Sequence, residues 1–114
     1  MSAETLASVL DAFARGKLAE AAERFAEHAS YREVRKAPVL GRAAIAAEFA
    51  RFAASGVPFR FEVDDVIANA DRACVVYRFA VPGGSGEPWR ERAGCAIVRF
   101  DDCGQIAEWR EYEG

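Results

Sequence analysis

Apolar residues recur at intervals of three and four over three stretches in the first half of the chain, which is the spacing of amphipathic helices. The first stretch, Thr5 to Arg15, ends at Gly16, a residue that commonly follows the last turn of a helix. The second runs from Leu18 to Glu27. The third, Arg42 to Ala54, is rich in alanine and stops before a Ser-Gly pair. The pattern therefore predicts three helices.

Polar and apolar residues alternate with a period of two in the rest of the chain. Between the second and third helices, Tyr31 to Arg35 is strand-like, and Pro38 to Gly41 forms a turn or a very short strand. Four longer strands are predicted after the third helix: Phe59 to Asp64, Arg72 to Val81, Trp89 to Phe100, and Gln105 to Tyr112. Helices followed by a mainly antiparallel sheet are typical of the α+β class.

The last strand places two contrasting side chains on the same side of the sheet. Successive side chains of a strand point to opposite faces, so Trp109 and Glu111 share one face while Glu108, Arg110 and Tyr112 share the other. A carboxylate next to a large aromatic side chain, both facing inward, is typical of the floor of a pocket. The sequence therefore indicates a site at this end of the chain.

Composition excludes several classes of protein. A chain of 114 residues is expected to form one domain, 1–114, and its net charge of −3 argues against nucleic-acid binding. With Lys17 and Lys36 as its only lysines, and no apolar run of membrane length, no contact with membranes is expected either. The N-terminus lacks the pattern of a signal peptide, which predicts a cytoplasmic protein.

Cysteine and histidine usage argues against metal and disulfide chemistry. Cys74, Cys95 and Cys103 are far apart, and their odd number argues against a disulfide framework. Cys74 and Cys95 are expected to be small buried residues of strands, whereas Cys103 falls in a turn. With a single histidine in the chain, a zinc site or a Cys-His nucleophile is not expected. We therefore predict no metal.

The order of elements, together with three short segments, resembles the nuclear transport factor 2-like superfamily, and within it the SnoaL-like branch. These segments are Arg24 to Tyr31, Gly41 to Ile45 and the final Trp109 to Tyr112. The resemblance implies an α+β fold in which a cone-shaped, curved, mainly antiparallel sheet wraps around three N-terminal helices, a cystatin-like half-barrel. It also implies a deep apolar pocket and a homodimer.

The resemblance also implies roles for individual residues. Glu111 matches the water-activating carboxylate of the limonene-epoxide hydrolases, and Tyr31 matches their first-strand tyrosine. Glu33 falls near the general base of the related ketosteroid isomerases. Tyr77 and Phe79, however, stand where the epoxide hydrolases need an arginine and an aspartate, so epoxide hydrolysis is disfavoured.

A candidate site follows from these positions. The expected catalytic residues are Glu111, Glu33 and Tyr31, and the expected ligand-binding residues are Tyr77, Phe79, Arg92, Trp109 and Phe49. A carboxylate in an aromatic pocket is poorly solvated, which raises its pKa toward the range useful for proton transfer. Such a site suits proton abstraction beside a carbonyl, in an isomerase or cyclase that needs no cofactor, acting on a small hydrophobic molecule.

Other interpretations remain open at this point. Glu111 could instead form an ion pair with Arg92 or Arg90 on the adjacent strand, and Glu33 could pair with Arg32 or Arg35 at the surface. In that case the fold would serve as a non-catalytic module for ligand binding or dimerisation.

The face of the sheet opposite the predicted pocket is also apolar. Its expected members are Trp89, Ala93, Cys95, Ile97, Val76 and Tyr112. An exposed apolar patch of this kind usually marks an interface, so a two-fold dimer through the sheet is predicted.

Overall fold

The computed structural model describes residues 2–113, so the first and last positions of the predicted domain lie outside the described residues. Its elements in chain order are α1 (Ser2–Ala14), α2 (Leu18–Ala22), β1 (Phe25–Arg32), β2 (Val39–Leu40), α3 (Arg42–Ala54), β3 (Arg60–Ala68), β4 (Arg72–Val81), β5 (Arg90–Phe100) and β6 (Ile106–Glu113). None of the helices in this range is long and apolar enough to cross a membrane.

The six strands form one curved sheet in the order β2-β1-β6-β5-β4-β3. Strands β1 and β6 pair in parallel, and the other neighbouring strands pair antiparallel. The long central strands β4, β5 and β6 are joined by loops over residues 82–89 and 101–105, because antiparallel neighbours need no crossover connection. The predicted α+β class, with a mainly antiparallel sheet and three N-terminal helices, is confirmed.

The hydrophobic core lies between the helices and the inner face of the sheet. Its largest fully buried side chains are Trp109, Phe25, Ile45, Ile106, Val9, Val75 and Val98. Alternate residues of β4, β5 and β6 supply the sheet side of this core, as expected for strands with one buried face. The predicted inward orientation of Trp109 is therefore confirmed.

The segment after α1 differs from the sequence-based prediction. The second helix was expected to reach Glu27, but it ends at Ala22, and β1 begins at Phe25 rather than at Tyr31. The backbone N–H of Ile106 donates to the carbonyl oxygen of Arg24 at 3.0 Å, so parallel pairing with β6 begins there. The spacing of apolar residues fits a helix equally well, and only this distant strand decides between the two conformations.

Strand β3 is longer than predicted. It was expected to end at Asp64, but it continues past a register shift between Val63 and Asp65 and ends at Ala68. A bulge inserts an extra residue and breaks the simple alternation from which the strand was predicted. Strand β3 is also the edge of the sheet, where acidic residues at a bulge oppose pairing with another strand.

Candidate functional site

A cavity of about 430 Å³ lies between α3 and the inner face of the sheet. Eight aromatic residues with inward-facing side chains line it: Phe13, Tyr31, Phe49, Phe52, Phe59, Phe61, Tyr77 and Phe79. Charged side chains contribute as well: Glu33, Lys36, Glu48, Arg92, Glu111 and Glu113. Aromatic walls with a few polar groups are the usual composition of a small-molecule site.

The structure brings most of the predicted site residues together around this cavity. The residues that line it are Tyr31, Glu33, Phe49, Tyr77, Phe79, Arg92 and Glu111. Trp109 does not line the cavity, because it is buried in the core at 1% exposure. It contacts the site through the hydrogen bond of its indole to Glu111 and through ring contacts with Tyr31 and Phe13.

The carboxylate of Glu111 accepts two hydrogen bonds. The indole Nε1 of Trp109 donates to Oε2 at 2.9 Å, and the hydroxyl of Tyr31 donates to the same oxygen at 3.4 Å. Tyr77 lines the same cavity and interacts electrostatically with this carboxylate. These residues lie on β6, β1 and β4, so the tertiary structure assembles the cluster.

Burial raises the pKa of the Glu111 carboxyl, because the charged form loses its hydration. The negative charge of Glu33 raises it further, while the hydrogen bonds from Trp109 and Tyr31 and the nearby hydroxyl of Tyr77 lower it in part. The pKa values of Tyr31 and Tyr77 are also raised, first by burial and then by the charge of Glu111. Both phenols therefore keep their protons at neutral pH and act as donors.

Neither carboxylate makes the arginine ion pair that the sequence left open. Among the salt bridges of residues 2–113, none involves Glu111. Glu33 pairs instead with Lys36, whose Nζ lies 3.3 Å from Oε1. Arg32 and Arg35 were the expected partners, but the turn after β1 brings the lysine three residues ahead into reach.

Aromatic packing fixes the position of the Tyr31 ring. Its centroid lies 5.1 Å from that of Phe49 and 6.2 Å from that of Phe25, both in edge-to-face geometry. The ring also stacks on the indole of Trp109 at 6.5 Å. Edge-to-face pairs at these distances are favourable. The packing of the Tyr31 ring against these three aromatic residues therefore orients its hydroxyl toward Glu111.

Gly94 is a cavity residue that was not predicted. A Cβ atom at this position would lie 2.5 Å from the carbonyl oxygen of Tyr112 and 3.6 Å from the hydroxyl of Tyr77. Any larger residue would therefore displace β6 beside Glu111. An isolated glycine at an inward position of a long strand often marks such a close approach, and this signal was present in the sequence.

Several aromatic residues were recognised as apolar positions but not as cavity residues. Phe61 stacks on Tyr77 with centroids 5.2 Å apart, and Phe59 lies 5.7 Å from Phe79. Phe52 lies 5.4 Å from Phe59 and continues this aromatic wall. Periodicity identifies inward residues, but it does not tell which of them face a cavity and which pack against each other.

No group of three or more histidine, cysteine, aspartate or glutamate side chains within residues 2–113 has the arrangement of a metal site. The polar groups around the cavity are instead one hydrogen-bonded carboxylate, two phenols and several charges at the opening.

Three helices packed on a curved sheet, with a cavity between them, define an α+β fold of the nuclear transport factor 2-like type. The sequence model of the SnoaL-like domain matches residues 6–109, so the chain belongs to this family. The resemblance stated from the sequence is therefore confirmed. No curated protein matches the chain.

Solved structures agree with this assignment. An LEH-like epoxide hydrolase of M. tuberculosis aligns with a TM-score of 0.81 at 18% identity, covering 99% of this chain and 82% of that one. Bal32a, from a soil-derived mobile gene cassette, aligns with a TM-score of 0.78 at 27% identity, covering 98% and 88%. An NTF2-like protein of unknown function from Burkholderia pseudomallei aligns with a TM-score of 0.82 at 16% identity, covering 99% and 90%. These likenesses establish the cone-shaped fold.

Proposed function

We propose that the cavity binds a small hydrophobic carbonyl compound and that Glu111 moves a proton there, as in an isomerase or cyclase that needs no cofactor. One observation carries the proposal: a carboxylate with a raised pKa lies in an aromatic cavity and accepts hydrogen bonds from Trp109 and Tyr31 but forms no ion pair with an arginine. Carboxyl groups whose pKa is raised by burial in a cleft are typical of functional sites.

Glu111 is the base in this proposal. The hydrogen bonds from Trp109 and Tyr31 both reach Oε2, which leaves Oε1 to accept a proton from the substrate. The raised pKa makes the carboxylate a stronger base than an ordinary glutamate. With a β,γ-unsaturated ketone, Glu111 takes a proton from the carbon between the carbonyl and the double bond and returns it to the far carbon of the dienolate.

Tyr77 stabilises the enolate. Its hydroxyl stays protonated, lines the cavity and interacts electrostatically with Glu111, so it can turn to donate to the oxygen on which negative charge develops. Tyr31 keeps the carboxylate oriented from the other side.

The role of Glu33 as a second acid stays a prediction. Its contact with Lys36 favours a different contribution, in which its charge supports the raised pKa of Glu111. Epoxide opening remains disfavoured, because Tyr77 and Phe79 supply neither an arginine nor an aspartate.

Exchange of α-protons for deuterium tests the proposal without knowledge of the natural substrate. Wild-type protein in D₂O is expected to speed exchange into 2-decanone or 1-indanone, followed by NMR. Glu111→Gln should lower that rate at least about 100-fold, because the base is lost. Glu108→Gln, on the other face of the same strand, serves as the control and should leave the rate unchanged.

Two outcomes would contradict acid-base catalysis. Binding of either ketone without any acceleration of exchange would favour the alternative of a non-catalytic ligand-binding module. Exchange that survives Glu111→Gln would assign the base to a different residue.

We also propose that the chain forms a homodimer through the outer face of the sheet. The middle of this face carries the apolar or weakly polar side chains of Val76, Cys95 and Ile97, each of them partly exposed. Tyr112 adds a ring that is 41% exposed. A patch of this kind favours association.

Charges on the two sides of this patch support a two-fold arrangement. On the side of β3 and β4, Arg78 is surrounded by three acids, Glu62, Asp64 and Glu91. On the side of β1 and β6, Arg32 lies directly opposite Arg110. Rotation by 180° brings the acidic side of one protomer onto the basic side of the other, which is the complementarity an isologous interface needs.

A further inference from the structure

We infer that the ligand of the cavity carries a carboxylate bound by Arg92, so that the substrate class is a hydrophobic acid. This inference rests on the proposed function only in that the cavity must bind a small molecule. It adds the charge of that molecule and the direction in which it enters.

Of the charged residues that line the cavity, Arg92 and Glu111 have no ion pair within residues 2–113, and Arg92 is the cation of the two. Each of the three acids near the opening pairs with a base: Glu33 with Lys36, Glu48 with Arg51, and Glu113 with Arg35. Arg92 also lines the cavity, but within the part of the chain that the structure describes it has no acidic partner at salt-bridge distance. A cation at the mouth of an apolar cavity that lacks a protein counter-charge is suited to an anionic ligand.

The Arg92 side chain lies beside an aromatic wall. Its guanidinium carbon lies 6.0 Å from the ring centroid of Phe79, the residue opposite it on β4. An arginine over an aromatic face keeps its N–H groups free for a planar, bidentate partner such as a carboxylate. The same ring offers its surface to the apolar part of the ligand.

Arg92 and Glu111 mark opposite ends of the ligand. On β5, Arg92 is four residues from Ala96, the residue opposite Glu111, which corresponds to about 13 Å along the backbone. Tyr77 is opposite Gly94, midway between Arg92 and Ala96 on β5, and therefore lies between them. A ligand held by its carboxylate at Arg92 thus extends its apolar body inward and presents a carbon near Tyr77 and Glu111.

A carboxylate fits this site better than a phosphate. Arg92 supplies one positive charge and one bidentate surface, which matches a single negative charge. A dianion would bring its second charge close to Glu33, Glu48 and Glu113, whose own bases are already engaged. The balance of charge at the opening therefore selects a monoanion.

Matched acid and amide probes test the inference. The affinity of 1-naphthylacetic acid is compared with that of 1-naphthylacetamide, and decanoic acid with decanamide, by isothermal titration calorimetry at pH 7.5. Wild-type protein is expected to bind each acid about five- to tenfold more tightly than its amide. Arg92→Gln should abolish that preference and leave the affinity for the amides unchanged.

Two further variants distinguish bidentate binding of the carboxylate by Arg92 from a general effect of positive charge. Arg92→Lys keeps the charge without the bidentate geometry and should restore part of the preference. Arg72→Gln removes an exposed arginine that does not line the cavity, and it should retain the full preference of wild type.

The outcomes distinguish this inference from the proposed function. Equal affinity for acid and amide in wild type, or a preference that survives Arg92→Gln, would overturn the role of Arg92 and leave the catalytic proposal standing. Failure of all four probes to bind would overturn both. Acid binding that depends on Arg92, without any exchange of ketone α-protons, would support the anionic ligand and reject the catalysis.

Discussion

The indole Nε1 of Trp109 donates a 2.9 Å hydrogen bond to Oε2 of Glu111, two residues further along the same strand. The two side chains face the same side of β6, but one is buried in the core and the other lines the cavity. The core thus supplies a fixed donor to the carboxylate of the site. This arrangement couples the ionisation of Glu111 to the packing of the interior.

Replacement of Trp109 by phenylalanine is expected to raise the pKa of Glu111 further. The indole hydrogen bond favours the charged form, so its loss shifts the equilibrium toward the protonated acid. Titration of the Glu111 side-chain carboxyl by ¹³C NMR measures the shift. The substitution should also cost about 1–3 kcal/mol of unfolding free energy, because a buried hydrogen bond and part of a ring are lost.

Trp89→Phe provides the matched control. Trp89 stacks under the guanidinium of Arg60 at 4.0 Å and does not line the cavity, so its replacement should leave the titration of Glu111 unchanged. A pKa of Glu111 that falls or stays constant in Trp109→Phe would contradict the role assigned to the indole.

Glu111→Gln is expected to gain stability relative to wild type as the pH rises. The folded state holds the proton of Glu111 more tightly than the unfolded chain, whose carboxyl titrates near 4.5. The protonated carboxyl of Glu111 therefore stabilises the folded state of wild type at low pH. Wild type loses this contribution between about pH 4.5 and the raised pKa of the folded state, whereas the amide of Glu111→Gln does not titrate. Urea unfolding of both proteins at pH 4, 5.5, 7 and 8 measures the difference.

The direction in which this stability difference changes with pH tests the environment assigned to Glu111. Glu108→Gln removes a carboxylate from the outer face of the same strand, and it shows how much of the pH dependence arises from the loss of any carboxylate on β6. A stability difference between Glu111→Gln and wild type that is independent of pH, or that shrinks as pH rises, would mean that Glu111 is not held in a site that opposes its ionisation.

Ile97→Lys is expected to convert the proposed dimer into a monomer. A lysine in the middle of the outer face would place a charge in the apolar part of the interface, once in each protomer. Light scattering coupled to size-exclusion chromatography measures the mass, with wild type eluting as a dimer.

Val57→Lys is the matched control for this change. Val57 lies outside the sheet, in the loop between α3 and β3, and is already 42% exposed, so the same substitution there should leave the dimer intact. A monomeric wild type, or an Ile97→Lys protein that remains dimeric, would exclude an interface through the outer face.

Much of the fold was predictable because it depends on short-range patterns. The helices α1 and α3 and the strands β4, β5 and β6 were predicted within a few residues of their observed ends. The start of β1 was not, because Phe25 joins a strand only through parallel pairing with β6, some eighty residues further along the chain. A local pattern carries no information about a partner at that distance.

The sequence by itself determined that Trp109 and Glu111 face the same way, because the period of a strand is two residues. Only the tertiary structure decided that the carboxylate meets Tyr31, Tyr77 and an indole rather than an arginine. It also left Arg92 without an acid while pairing Glu33 with Lys36. Partners across strands depend on register and side-chain reach, and these are fixed only when the helices and the sheet pack together.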